Sequence, residues 1–315
     1  MALFSCSSAT TDFGDGTTGA TSGTAGAPPL GAGQGGMSGS TSVSAGTTSA
    51  GSNAAGAGFG GASGGGTGTG GSAGASGAAA VTFVPPAPID CKPWPKANET
   101  VELDTPLTVS GVLDGGLKRY VSVGALGGDG QTEDMPPLLR LEDGSVLKNV
   151  IIGKPASDGI HCSGTCYLQN VWWEDVGEDA ATLEGSDATQ TMTVECAGAR
   201  HASDKIFQHN GPGTYVLSNV YVEDFGKLYR SCGNCLEQHE RHVVLSGINA
   251  KDGKLLVGIN ENYGDTAKFS NITAASGIEI CELFEANDTG AEPHSVDSGS
   301  DAVHCLYKSS DIHKP

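Results

Sequence analysis

Along the second half of the chain, apolar and polar positions alternate in short runs, and one four-residue phrase keeps returning. "LKNV" (147–150), "LQNV" (168–171), "LSNV" (217–220), "LSGI" (245–248) and "FSNI" (269–272) each read apolar, polar, Asn or Gly, β-branched. "MTVE" (192–195) fills the one gap as a degenerate copy. Counted from the third residue, the copies fall at 149, 170, 194, 219, 247 and 271, a period in the low to mid twenties. A repeat of that length marks a solenoid. The alternation, with its Val, Ile, Leu and Tyr, predicts strands. No helix-length amphipathic stretch separates the copies, which sets aside leucine-rich, ankyrin and tetratricopeptide arrangements. The expected fold is therefore all-β: a single-stranded right-handed parallel β-helix in which each copy is one turn. Asn149, Asn170, Asn219 and Asn271 are expected at one corner as a hydrogen-bonded ladder. A β-sandwich with coincidental Asn spacing is the alternative.

Composition then limits where that fold lies. From about Asp12 to Val81 the chain is mostly Gly, Ala, Ser and Thr, without Lys or Arg. Such a segment buries too little apolar surface to offset the entropy of ordering. Residues 1–81 are expected to be a disordered, flexible tether and residues 82–315 the folded domain. The net charge of −19 belongs almost wholly to the latter and argues against a nucleic-acid partner.

Eight cysteines (Cys91, Cys162, Cys166, Cys196, Cys232, Cys235, Cys281 and Cys305) form an even set, suited to as many as four disulfides in an oxidising compartment. Zinc at Cys232-x-x-Cys235 is the alternative. The ninth, Cys6, follows "LFS" as the acceptor Cys of a bacterial lipoprotein does, but its apolar run is too short for a signal. A secreted protein is expected, with surface tethering through a lipidated Cys6 a further reading. There is no transmembrane stretch.

Charge clusters carry the candidate chemistry. "WWEDVGEDAATLEG" (172–185) packs Glu174, Asp175, Glu178 and Asp179 into one short run. Like charges this close repel unless water, a proton or a cation intervenes. On a parallel coil, equivalent positions of successive turns lie about 4.8 Å apart. Asp158, Glu178–Asp179 and Asp204–Lys205 recur at roughly one-turn intervals, so they are expected to stack into an all-oxygen site that suits Ca2+. A solvated acidic edge is the bland alternative, and Glu174 and Asp175 are read as solvent-facing. Lys205, Lys227 and Arg230 follow on neighbouring turns. Beside a metal they suit an anionic substrate; simple pairing with Asp204, Glu223 and Asp224 is the other explanation.

The motifs "LEDGSVLKNVIIG", "DGIHC", "NVWWEDVGEDAAT", "SDKIFQHNG" and "VEDFGKLYRSCGNC" together resemble the pectate lyases of polysaccharide lyase family 3, densely from about Leu141 to Asn249. The resemblance implies calcium-dependent β-elimination of polygalacturonate to products unsaturated between C4 and C5. It assigns Asp158, Glu178, Asp179 and Asp204 to the metal, and Asp224, Lys227 and Arg230 to the cleft. Lys205 is the first choice of base, Arg230 the second, with Lys227 as a clamp on substrate carboxylate. Where the family has "ATFKG" or "ATLKG", this chain has "ATLEG", so Glu184 reverses a charge at a position expected to line the substrate. A polygalacturonase-type hydrolase and a non-catalytic pectate-binding module are the alternatives, and the protein is expected to act as a monomer.

Overall fold

The computed structural model describes residues 85–87, 89–91, 94–128, 130–131 and 135–315; the expected tether and Cys6 lie outside them. The recurring phrase does what its pattern demands. Its first residues, Leu147, Leu168, Leu217, Leu245 and Phe269, together with Val194 of the degenerate copy, are register partners on successive parallel strands. All are buried, each contributing roughly 1.5–3 kcal/mol relative to exposure. A slip of one residue would turn the whole column outward. The result is a parallel β-solenoid of about six turns. One exception closes the far end, where Glu279–Glu285 pairs antiparallel with His294–Ser298.

The bends explain the asparagines. Asn149, Asn170, Asn219 and Asn271 all adopt left-handed backbone, with φ between 51° and 58°, and Gly247 takes the same conformation at φ 68°. Asn tolerates this region because its short amide bonds locally. The degenerate copy is displaced: Val194 pairs with Leu168 and Leu217, so the bend falls two residues later, at Cys196 (φ 53°). The ladder is correspondingly partial. Asn170 Nδ2 donates to Asn149 Oδ1 (2.8 Å) and Asn149 Nδ2 to Asp114 Oδ1 (2.9 Å), but Cys196 interrupts the run with its disulfide to Cys91.

A second stack of left-handed bends at His201, Asp224 and Asp252 divides the long strands Thr191–His209, Gly213–Ser231 and Arg241–Asn260 into three faces. The third face is also built from the short strands Ile160–Cys162 and Ala181–Leu183. Its inner column, Ile160, Ala181, Phe207, Tyr229, Val257 and Cys281, continues through the register. Trp173, fully buried, meets Phe207 edge-on at 5.8 Å.

Four disulfides form: Cys91–Cys196, Cys162–Cys166, Cys232–Cys235 and Cys281–Cys305. The Cys232-x-x-Cys235 pair is thus a disulfide rather than a zinc clip.

Candidate active site

Two residues before the inner column of the third face, the chain brings polar side chains together. Asp158 precedes Ile160, Asp179 precedes Ala181, Lys205 precedes Phe207 and Lys227 precedes Tyr229, one per turn. The loops carrying the carboxylates meet backbone to backbone. Glu178 N–H donates to Ser157 O (3.1 Å), and Ser157 Oγ ties its own loop to Leu126 O and Pro136 O at 2.8 and 2.6 Å. Gly159 makes the approach feasible: it has φ 45°, and a Cβ there would overlap the carbonyl oxygens of Asp179 and Ala180. Gly226 does the same against Asp204 O of the turn before its own.

Asp158, Glu178 and Asp179 each offer a carboxylate oxygen, all within 4.8 Å of one another, and all three residues are buried. Lys205 Nζ, itself 5% exposed, lies 3.4 Å from Glu178 Oε1, 3.6 Å from Asp179 Oδ1 and 2.9 Å from Asp204 Oδ2. Lys227 Nζ takes the other oxygen of Asp204 at 2.6 Å. Burial and the neighbouring carboxylates push Glu178 up to about 10 and Asp179 up to about 7, against the partial relief of Lys205. Asp204 goes the other way. Burial would raise it, but Lys205 and Lys227 bring it down to about 2. Lys205 also titrates abnormally: burial opposes its charge, yet Asp179, Glu178 and Asp204 hold it protonated well above the usual range.

The donor set fits a hard divalent cation. It consists of oxygens alone, and Asp158 Oδ1 and Asp179 Oδ1 are buried without a hydrogen bond. Buried acceptors without a hydrogen bond are costly, and a cation between them would reduce that cost.

Arg230 sits three residues beyond Lys227. Its Nη1 donates to Ser231 O (2.6 Å), Asn260 Oδ1 (2.8 Å) and Gly258 O (3.4 Å), and its guanidinium lies over Phe284 at 4.1 Å. Both Lys205 and Arg230 are buried and are part of the packing, not exposed cations independent of the rungs.

Several expected members lie differently. Asp204 bridges Lys205 and Lys227 and stands outside the triad. Asp224 occupies the neighbouring bend, its exposed carboxylate 2.9 Å from His201 Nδ1, and is not among the contacts of Lys205, Lys227 or Arg230. Glu174 and Asp175 are not simply solvated. Glu174 accepts two hydrogen bonds from Arg119 at 2.6 and 2.7 Å, and Asp175 pairs with Lys154 at 3.2 Å. Glu184 does not stand free in the cleft: Glu184 Oε1 lies 3.0 Å from His161 Nδ1. His161 Nε2 in turn lies 2.8 Å from Asp158 Oδ2. Sequence reasoning missed His161, although its spacing of three from Asp158 in "DGIHC" was visible. Asn260 and Phe284 around Arg230 carried no local signal, since both come from later turns.

The sequence model of the family described as "Pectate lyase" matches residues 91–290. Probable pectate lyase E of Neosartorya fischeri is 46% identical over 217 residues, which cover 69% of this chain and 84% of that protein. Pectate lyase H of Emericella nidulans is 44% identical, covering 68% and 83%. Among solved structures, pectate lyase PelI of Erwinia chrysanthemi in complex with tetragalacturonic acid superposes with a TM-score of 0.56 at 30% identity, covering 69% of each chain. Its catalytic domain alone gives 0.57 at 28% identity, with 70% of this chain and 98% of that one covered. With the solenoid, the buried carboxylates and the flanking cations in place, these matches settle the family: the chain is a polysaccharide lyase and belongs to the pectate lyases.

Proposed function

We propose that this chain cleaves polygalacturonate by calcium-assisted β-elimination at the cluster on the third face. One observation carries the reading: Asp158, Glu178 and Asp179 converge within 4.8 Å against the Lys205 ammonium, with two acceptor oxygens making no hydrogen bond. Carboxylates gathered this tightly suit a shared cation.

Asp158, Glu178 and Asp179 would hold the ion, whose chemistry is to neutralise a substrate carboxylate and make the proton at C5 more acidic. Lys205 Nζ is the base. In the ion-free protein its three carboxylate neighbours keep it protonated. With their charge shared by a dication, that hold weakens and Nζ can accept the C5 proton. The C5–H electron pair becomes the C4–C5 double bond, the C4–O4 bond breaks, and the departing oxygen takes a proton from solvent water. Arg230, oriented by Asn260, Ser231, Gly258 and Phe284, presents a fixed charge to the anion that develops. Lys227, anchored on Asp204 and half-buried, clamps a substrate carboxylate. Preference for de-esterified pectate over methylated pectin follows, since the ester removes the charge these groups recognise. Four disulfides support secretion into an oxidising compartment. Among the described residues no helix is long and apolar enough to cross a membrane.

Chelation tests the metal assignment. Excess chelator should abolish turnover and calcium restore it, and Asp158→Asn should need much more calcium. Full activity in chelator would overturn the assignment.

A further inference from the structure

Glu184 and His161 lie outside the carboxylate triad, yet their contacts end on one of its members. Glu184 Oε1 is 3.0 Å from His161 Nδ1, and His161 Nε2 is 2.8 Å from Asp158 Oδ2. Both partners of the imidazole are carboxylates, so both ring nitrogens act as donors. The consequence for Asp158 is geometric. Its Oδ2 is taken by His161, and its Oδ1 is the buried oxygen with no hydrogen bond. The chain of contacts therefore decides which oxygen of Asp158 is left over.

The register explains how the three meet. His161 sits on Ile160–Cys162, and its partner Thr182 lies two residues before Glu184 on the next turn. Glu184 N–H donates to Cys162 O at 2.8 Å, fixing its backbone beside the His161 strand. His161 is 9% exposed, so its ring has little freedom to turn away. Arg140, the register partner of His161 on the preceding turn, adds positive charge beside Glu184.

We propose that Glu184, acting through His161, fixes the rotamer of Asp158 and so sets calcium affinity, making both positioning residues of the metal centre. This rests on the calcium reading above. It gives the carboxylate of "ATLEG" a role of its own, in binding the ion rather than the polysaccharide.

Calcium titration calorimetry on the full chain, without substrate, tests it. Four proteins are compared: the unaltered protein, Glu184→Gln, His161→Gln and the double variant. Glu184 is half-buried and Gln keeps its size, so folding should persist; circular dichroism in chelator checks this. Loss of an outer partner of a metal ligand typically weakens binding by about 10-fold or more. Glu184→Gln should weaken calcium binding to that extent, and His161→Gln at least as much. In the His161→Gln background, Glu184→Gln should have no further effect, because its route to Asp158 is gone. Equal affinity for Glu184→Gln and the unaltered protein would overturn the proposal. So would effects that simply multiply in the double variant, since Glu184 would then act independently of His161. If the unaltered protein bound no calcium, the metal reading itself would fall, and the positioning role with it.

Discussion

Calcium should expel protons from the cluster, and the structure says how many. In the ion-free protein Glu178 is held near 10 and Asp179 near 7, both raised by burial and by carboxylate neighbours. A carboxylate must be ionised to bind the metal. At pH 8 the triad therefore carries about one proton, on Glu178, and at pH 6 about two, so binding should release roughly those numbers. Affinity should accordingly rise by about tenfold per pH unit between pH 7 and pH 9. Calorimetry in buffers of different ionisation enthalpy reads the count directly. The isosteric Glu178→Gln variant has no proton to lose at that position and should reduce the release at pH 8 by about one. A pH-independent affinity, with less than about half a proton released at pH 8, would refute the shared-site reasoning.

Other outcomes follow from the same contacts. Glu178 and Asp179 bind protons more tightly folded than unfolded, so their contribution to stability is full below about pH 4 and is lost as pH rises through 7 towards 10. Asp204, depressed to about 2, contributes oppositely, losing its stabilisation as pH falls towards 2. Thermal melts in chelator should therefore drop from pH 5 to pH 9 and recover with calcium; a flat profile would contradict the shifts. Gly159→Ala places a Cβ into the Asp179 and Ala180 carbonyls at a left-handed position, and urea titration should show a loss of at least about 1–2 kcal/mol together with weakened calcium binding. Arg230→Lys keeps the charge but not the fork that meets Asn260, Ser231 and Gly258. It should lose most turnover and about 1.5–3 kcal/mol of stability, and near-normal turnover would remove Arg230 from the mechanism.

The sequence made the scaffold readable because a solenoid repeats its instructions. Each Leu and each Asn of the phrase meets its counterpart one turn away, so a local pattern reports a tertiary contact. The reading failed at the degenerate copy, where Cys196 takes the bend and the alternation alone could not show a two-residue shift. The site was legible in the same way, as far as residues one turn apart were concerned: Asp158, Asp179, Lys205 and Lys227 stack as the spacing implied. Pairings that skip a turn were not. Glu174 meets Arg119, from two strands earlier in the stack, and Arg230 rests on Phe284; nothing in either local segment announces the partner. Burial was also hidden. Nothing in the local segments of Lys205 and Arg230 shows that the coil encloses both side chains.

The central claim is elimination at a calcium-bound carboxylate, and product stoichiometry tests it most directly. Polygalacturonate should be incubated with the full chain and calcium at alkaline pH, where a lysine base is more readily deprotonated. New reducing ends and the ultraviolet absorbance of the C4–C5 double bond are then counted together. Elimination predicts one unsaturated end for each reducing end, both abolished by chelator and by Lys205→Ala. Reducing ends without the absorbance would show hydrolysis, and binding with neither signal would show a non-catalytic module; either result would contradict the account.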